Sequence, residues 1–190
     1  MPESPVVPEP LARYEAMSHA TLAAQVSDGN DPAAAGSAGA RWTELSARLR
    51  DSIGNLTALS TGSQDMWQGE TGDAMRAVLG KASSWLGETA AVSAVVGESV
   101  TGQAEIAARA RAEMPEPVEF DPATMIRSAA ASGDVLDLAG LSSAMDARRE
   151  EAETTRQKAI DVLRTRDTAL RGLVPRAAFP AAPALGTGPA

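Results

Sequence analysis

Few side chains in this sequence have the type and spacing that catalysis needs. The only histidine is His19, and it follows Glu15 by four residues, which predicts a side-chain pair on a helix surface rather than a catalytic base. Residues 35–39 (AGSAG) resemble the turn that carries a nucleophilic serine, but alanine replaces its first glycine. Residues 79–83 (LGKAS) resemble the end of a phosphate-binding loop, but the earlier glycine is missing. Carboxylates do not recur at metal-ligand spacing. We therefore predict that the chain is not an enzyme and takes no metal or cofactor.

Recognition, rather than catalysis, is what Trp67 and Gly69 indicate. They lie in DMWQGETGDAM, residues 65–75, within a chain that has only three tryptophans, one tyrosine and two phenylalanines. Trp67 could be an apolar plug that closes a helical hairpin, while Gly69 supplies the positive φ of the turn. Alternatively, the indole could sit at an exposed hairpin end with its N–H free for a partner. The pattern alone leaves both roles open.

The composition excludes several classes of partner and site. The net charge is −8, and Lys and Arg form no dense cluster, so nucleic acid and anionic membrane surfaces are poor partners. Cysteine is absent, which excludes disulfides, zinc–thiolate sites and thiol catalysis. No apolar run approaches the roughly 20 residues of a transmembrane helix. The start, MPESPVVPEP, lacks the basic and apolar regions of a signal peptide, so we expect any export to use another route.

The elements that must position these residues are helices. Aromatic residues make up only 3% of the chain, which favours helices over a β-sandwich. Apolar residues recur at helical spacing in five stretches, which are residues 11–26, 32–65, 71–113, 123–131 and 135–172. Asp31 and Thr71 are the predicted N-caps of the second and third helices. The predicted fold class is all-α, an elongated helical bundle around two long antiparallel helices with a WxG turn, plus a short and a long C-terminal helix.

The chain divides into three parts by composition. Residues 1–10 are predicted to be a proline-rich, extended N-terminus, residues 11–172 the helical domain, and residues 173–190 a flexible Pro/Ala/Gly tail or linker. In the fifth helix, Leu138 and Leu163 belong to the predicted inner side, and a mixed-sign charge run forms the solvated side.

The second and third helices carry more apolar surface than one neighbouring helix can cover. Large exposed apolar surfaces usually mark interfaces, so we expect either a different partner or self-association. The residues predicted to receive a partner helix are Leu45, Leu49, Ile53, Leu56, Val78, Trp85, Val92 and Val96.

A Trp-x-Gly turn between two long helices, in an alanine-rich chain without cysteine or a signal peptide, resembles the PPE/WxG helical families of actinobacterial type VII (ESX) secretion. The order of helices is similar to the PPE-like part of EspB-type substrates over residues 11–172. The resemblance implies a non-enzymatic secretion substrate or secretion-associated protein. Such a protein is cytoplasmic before export and then secreted or associated with the cell envelope, and the likeness also allows self-assembly after export.

The resemblance also implies partners. In such families the Trp-x-Gly turn lies beside a partner's Y-x-x-x-D/E tail, and the two form a composite secretion signal, so Trp67 and Gly69 take that role here. The implied partners are a PE-like or WxG helical hairpin protein, a second copy of the chain, and the type VII secretion ATPase. Residues 129–134 are small and polar where the family's chaperone-binding tip is often apolar, which argues against an EspG-type chaperone. The alternatives are an N-terminal targeting leader of a longer effector or toxin, and a cytosolic helical scaffold.

Overall fold

The fold is built from helices. The computed structural model describes residues 13–174 and 177–184, and in these residues every regular element is a helix, which confirms the predicted all-α class. A 3-10 turn, Tyr14–Ala16, precedes five α-helices. They are α1 (His19–Ser27), α2 (Pro32–Gly62), α3 (Glu70–Glu113), α4 (Pro122–Ser132) and α5 (Val135–Gly172). The predicted extended N-terminus, residues 1–10, lies outside the described residues. Within them, no helix is both long and apolar enough to cross a membrane.

The first helix begins later than the sequence predicts. α1 starts at His19, not at Leu11, because Ser18 is extended and caps the helix. The Ser18 hydroxyl accepts a hydrogen bond from the Thr21 amide at 3.2 Å, which satisfies one of the free N–H groups of the first turn. The predicted cap of the second helix is confirmed, since Asp31 accepts from a backbone amide one turn later.

The predicted N-cap of the third helix is wrong. α3 begins at Glu70, one residue before Thr71, and the first helical hydrogen bond runs from the Asp73 amide to the Gly69 carbonyl at 3.0 Å. Gly69 therefore stands at the cap position, where glycine is tolerated because it has no side chain to constrain φ. Asp73 lies in the first turn of α3, as predicted, where a carboxylate suits the helix dipole.

The chain forms two compact units. The first unit holds Asp31–Glu105 together with the segment that starts at Leu173, so it contains α2 and most of α3. The second unit holds residues 13–30 and Ile106–Gly172, so it contains α1, the end of α3, α4 and α5.

In the first unit, α2 and α3 form the predicted antiparallel hairpin. Ser46 donates a hydrogen bond to the Ala90 carbonyl at 2.8 Å, and Ile53, further along α2, lies against the earlier residue Gly87 of α3. The two backbones approach closely at Gly39 and Gly97. A Cβ added at Gly39 would lie 3.0 Å from the Gly97 carbonyl oxygen, so the crossing has no room for a side chain there.

The second unit has a small apolar core. Its buried members are Tyr14, Leu22, Val26, Ala110, Ala159, Ile160 and Leu163. The Tyr14 hydroxyl donates a hydrogen bond to Asp167, and Arg166 contacts the same carboxylate at 2.9 Å. Burial raises the pKa of the Tyr14 hydroxyl, with the hydrogen bond and the charge of Asp167 as further causes.

Two predictions for this unit are wrong. His19 is not part of a surface pair, because it is 8% exposed and its Nε2 lies 3.1 Å from the Pro115 carbonyl oxygen, which requires that nitrogen to donate. Leu163 is buried as predicted, but Leu138 is 50% exposed, and Val135 and Leu136 in the first turn of α5 are exposed by 76% and 78%. The apolar periodicity of α5 therefore continues beyond the part of the helix that is buried.

Candidate functional site

The candidate site is the end of the α2–α3 hairpin that contains the WQG turn. After α2 ends at Gly62, the Trp67 amide donates to the Ser63 carbonyl at 2.9 Å, which folds the connection back on the last turn of the helix. Gly69 has φ +90°, a conformation that a residue with a side chain rarely adopts. The positive φ that the sequence predicts at this glycine is therefore present, and it turns the chain into α3.

The carbonyl group of Trp67 is held by the first turns of α3. The Arg76 guanidinium donates to the Trp67 carbonyl oxygen at 3.0 Å and forms an ion pair with Asp73 at 2.6 Å. On its other side, this carbonyl lies directly against the backbone of Gly72. A Cβ added at Gly72 would lie 2.9 Å from the Trp67 carbonyl carbon and closer still to its oxygen. The turn thus has a fixed backbone, built from a donor and a glycine that sequence reasoning missed.

The indole of Trp67, in contrast, is half exposed. Its exposed fraction is 52%, and Met66 and Leu59 beside it are exposed by 76% and 63%. These side chains border an open apolar groove of about 710 Å³. The groove is lined by Asn55, Ala58, Leu59, Gly62, Ser63, Met66, Trp67, Met75 and Leu79.

The groove can bind apolar side chains, and its chemistry offers little else. Only Asn55 and Ser63 among its lining residues carry polar side chains, and the two methionines can adapt to differently shaped partners. In the described part of the chain, no three His, Asp or Glu residues lie close enough to hold a metal ion. The apolar lining of the groove suits contact with apolar side chains.

The eight residues predicted to receive a partner helix lie elsewhere on the hairpin. Each of them is partly buried in the structure, and none lines the groove. Ile53 faces Gly87 within the hairpin, and the indole N–H of Trp85 donates to the Pro180 carbonyl at 3.2 Å. The structure thus separates two surfaces, the groove at the hairpin end and the apolar stripe along the hairpin.

The sequence indicates Trp67 and Gly69 of the turn, but not the residues that line the groove together with Trp67. Leu59 and Met75 occur at the helical spacing of α2 and α3, and this spacing does not show that both lie with Trp67 at the open end of the hairpin. Gly72 follows Gly69 by three residues, and this second glycine in WQGETG was the signal for a close backbone contact.

Comparison with known proteins identifies a family. A model of the PPE family matches residues 13–160, which include both long helices and the turn between them. No curated protein matches the chain.

Proposed function

Because the chain belongs to the PPE family, whose members are associated with type VII secretion, we propose that it is a type VII secretion substrate that is recognised at the end of its α2–α3 hairpin. In this proposal a PE-like or WxG hairpin protein packs along the hairpin. The groove at Trp67 then stands beside the partner's Y-x-x-x-D/E tail, and the secretion ATPase binds the two together.

The observation that carries the proposal is the exposure of Trp67. A tryptophan that served only to close the hairpin would be buried, whereas this indole is 52% exposed and borders an apolar groove. Large exposed apolar patches on soluble domains mark interaction sites. Tryptophan is also the residue type most enriched among side chains that dominate binding energy.

The backbone of the turn supports the same role. Arg76 and Gly72 hold the carbonyl of Trp67 from two sides, so the ring is presented from a fixed point. A binding group on a fixed backbone loses less conformational entropy when a partner binds. The hairpin end therefore combines a rigid frame with an accessible apolar surface.

The test is export of a Trp67→Ala variant from an actinobacterial host with an active type VII system. We expect the variant to remain in the lysate while the wild type reaches the culture supernatant. Circular dichroism should show unchanged helix content, because a half-exposed ring contributes less to folding than a buried one. A Trp67→Phe variant, which keeps an apolar ring, should recover part of the export.

Leu136→Ala is the matched control, since Leu136 is 78% exposed and belongs to the other unit. Its export should equal that of the wild type. Normal export of a folded Trp67→Ala variant would show that the groove is not part of the signal. If the wild type itself stays in the lysate in a host whose type VII system exports its other substrates, the cytosolic scaffold becomes the better interpretation.

A further inference from the structure

Leu173, Phe179 and Pro180, from the segment that follows α5, contact the α2–α3 hairpin and belong to the same unit. The carbonyl of Leu173 accepts a hydrogen bond from the Ser99 hydroxyl, and the Leu173 side chain packs on Gly102. Seven residues later, the Pro180 carbonyl accepts from the indole N–H of Trp85 at 3.2 Å. This stretch therefore has two anchors on α3, each made through a backbone carbonyl.

A third contact is aromatic. The ring of Phe179 lies 5.8 Å from the ring of Trp42 on α2, with an angle of 32° between their planes. This distance is within the range of attractive aromatic pairs. Trp42 and Trp85 thus contact adjacent residues of the segment, Trp42 through its ring and Trp85 through its N–H group.

The two anchor positions on α3 are separated by a distance that an extended segment can span. Trp85 and Ser99 are separated by about 21 Å along α3, at 1.5 Å per helical residue. Seven residues of a polyproline-type chain span about 22 Å. Val92 and Val96 lie between the two anchors at helical spacing, on the same side of α3. We name the α3 stripe from Trp85 to Ser99 the anchor stripe.

The chemistry of the segment suits this mode of binding. Residues 173–184 read LVPRAAFPAAPA, so prolines recur among small and apolar residues. A proline-rich stretch loses little entropy when it is fixed in an extended form, and its carbonyl groups are free for donors such as an indole N–H. The side chains of Leu173 and Phe179 add the apolar contacts.

We propose that the anchor stripe is a docking site for an extended, proline-containing apolar segment, and that residues 173–184 fill it reversibly within the same chain. The occupant is tethered, so its effective concentration at the site is high and a weak intrinsic affinity is enough to keep it bound. Displacement of the segment uncovers Trp42 and Trp85.

The consequence for the partner rests on the proposed function. Trp85, Val92 and Val96 belong both to the anchor stripe and to the surface expected to receive a partner hairpin. A partner helix that packs on this surface has to displace the segment first. The partner can then bind only the fraction of molecules in which residues 173–184 are displaced, so its apparent affinity is reduced to that fraction of the intrinsic affinity.

The test is fluorine NMR of the full chain labelled with 5-fluorotryptophan, whose three tryptophans give one resonance each. We expect Phe179→Ala to shift the resonances of Trp42 and Trp85 and to leave that of Trp67 in place. Phe120→Ala is the matched control, because Phe120 lies in the other unit under Arg149. This variant should leave the Trp42 and Trp85 resonances unchanged.

A peptide of residues 173–184, added to the labelled chains, measures the site itself. We expect it to restore the wild-type Trp42 and Trp85 resonances in the Phe179→Ala chain. The same peptide should leave the Trp42 and Trp85 resonances of the wild type in place, because its own tethered segment already occupies the site. If Phe179→Ala alone leaves the segment docked, the double variant with Leu173→Ala should show the effect.

Two results would overturn the proposal. One is that neither the single nor the double variant moves the Trp42 and Trp85 resonances. The other is that the peptide, at millimolar concentration, binds neither variant. The outcome does not depend on secretion, since the peptide is the only added component. A chain that binds the peptide as expected but fails the Trp67 export test contradicts the proposed function and leaves the docking site standing.

Discussion

Replacement of Gly72 by alanine is the sharpest test of the turn at the hairpin end. In most helix positions this change is favourable, because alanine loses less conformational entropy on folding than glycine and gains about 0.5–1 kcal/mol. At Gly72 the new Cβ would lie 2.9 Å from the Trp67 carbonyl carbon and closer to its oxygen. Ordinary contacts of a Cβ begin at about 3.4 Å, so either the carbonyl or the first turn of α3 has to move.

The expected cost follows from what holds the carbonyl. Overpacking of a well-packed site typically costs about 1–3 kcal/mol. If the carbonyl moves, it also leaves the hydrogen bond from Arg76, which is worth about 1 kcal/mol net. The higher helix propensity of alanine offsets about 0.5–1 kcal/mol of these two costs. We therefore expect Gly72→Ala to lower the free energy of unfolding by about 1–3 kcal/mol, which for a chain of this size lowers Tm by several degrees.

The assay is urea unfolding followed by circular dichroism, with Gly80→Ala as the matched control. Gly80 lies in α3 two turns later, and nothing lies within 4 Å of the position where its Cβ would be. This control should be as stable as the wild type or slightly more stable. If Gly72→Ala behaves like Gly80→Ala, the Trp67 carbonyl does not lie against α3, and the argument for a fixed turn fails.

Two further predictions concern the two units. Gly39→Ala should lower the free energy of unfolding in urea by about 1–3 kcal/mol, because its Cβ would meet the facing backbone of α3. Gly54→Ala is the control, since its Cβ would lie in open space and should not destabilise the chain. Equal stability of the two variants would refute the close crossing. Tyr14→Phe should cost about 1 kcal/mol at pH 7 by removing the hydrogen bond to Asp167. Because the folded state raises the pKa of Tyr14 above 10, the wild type binds more protons than its unfolded chain above that pH and loses stability as the pH rises further. Tyr14→Phe should lack this loss. If the free energy of unfolding falls equally with rising pH in both proteins, the role assigned to Tyr14 is wrong.

Much of the fold could be predicted because its boundaries are marked by local chemistry. Asp31 before Pro32 starts α2, and prolines 115 and 117 follow directly on the end of α3. Periodicity then identifies the helices between these marks. The start of α1 was wrong because Ser18 could be read either as a helix residue or as a cap, and only the hydrogen bond from Thr21 decides between them.

The site was harder to predict, because its parts are distant in the chain or depend on backbone contacts. Helical spacing places Leu59 and Met75 on the apolar sides of α2 and α3, and it cannot show that the hairpin end leaves them open as a groove. The buried position of His19 depends on a carbonyl 96 residues away, which no local pattern can reveal. The contacts of Phe179 with Trp42 and of Pro180 with Trp85 also join residues that are distant in the chain, so no local pattern predicts them.

The two parts of the hairpin end have opposite requirements, and the sequence meets both within ten residues. A recognition ring has to remain exposed, which costs stability because apolar surface stays in water. The backbone that carries the ring has to be ordered before the partner binds, because otherwise the loss of conformational entropy weakens binding. Gly69 supplies the positive φ of the turn, Gly72 leaves room for the Trp67 carbonyl, and Arg76 binds that carbonyl while the indole stays half exposed. Stability is therefore supplied through the main chain of Trp67, and its side chain is left for a partner.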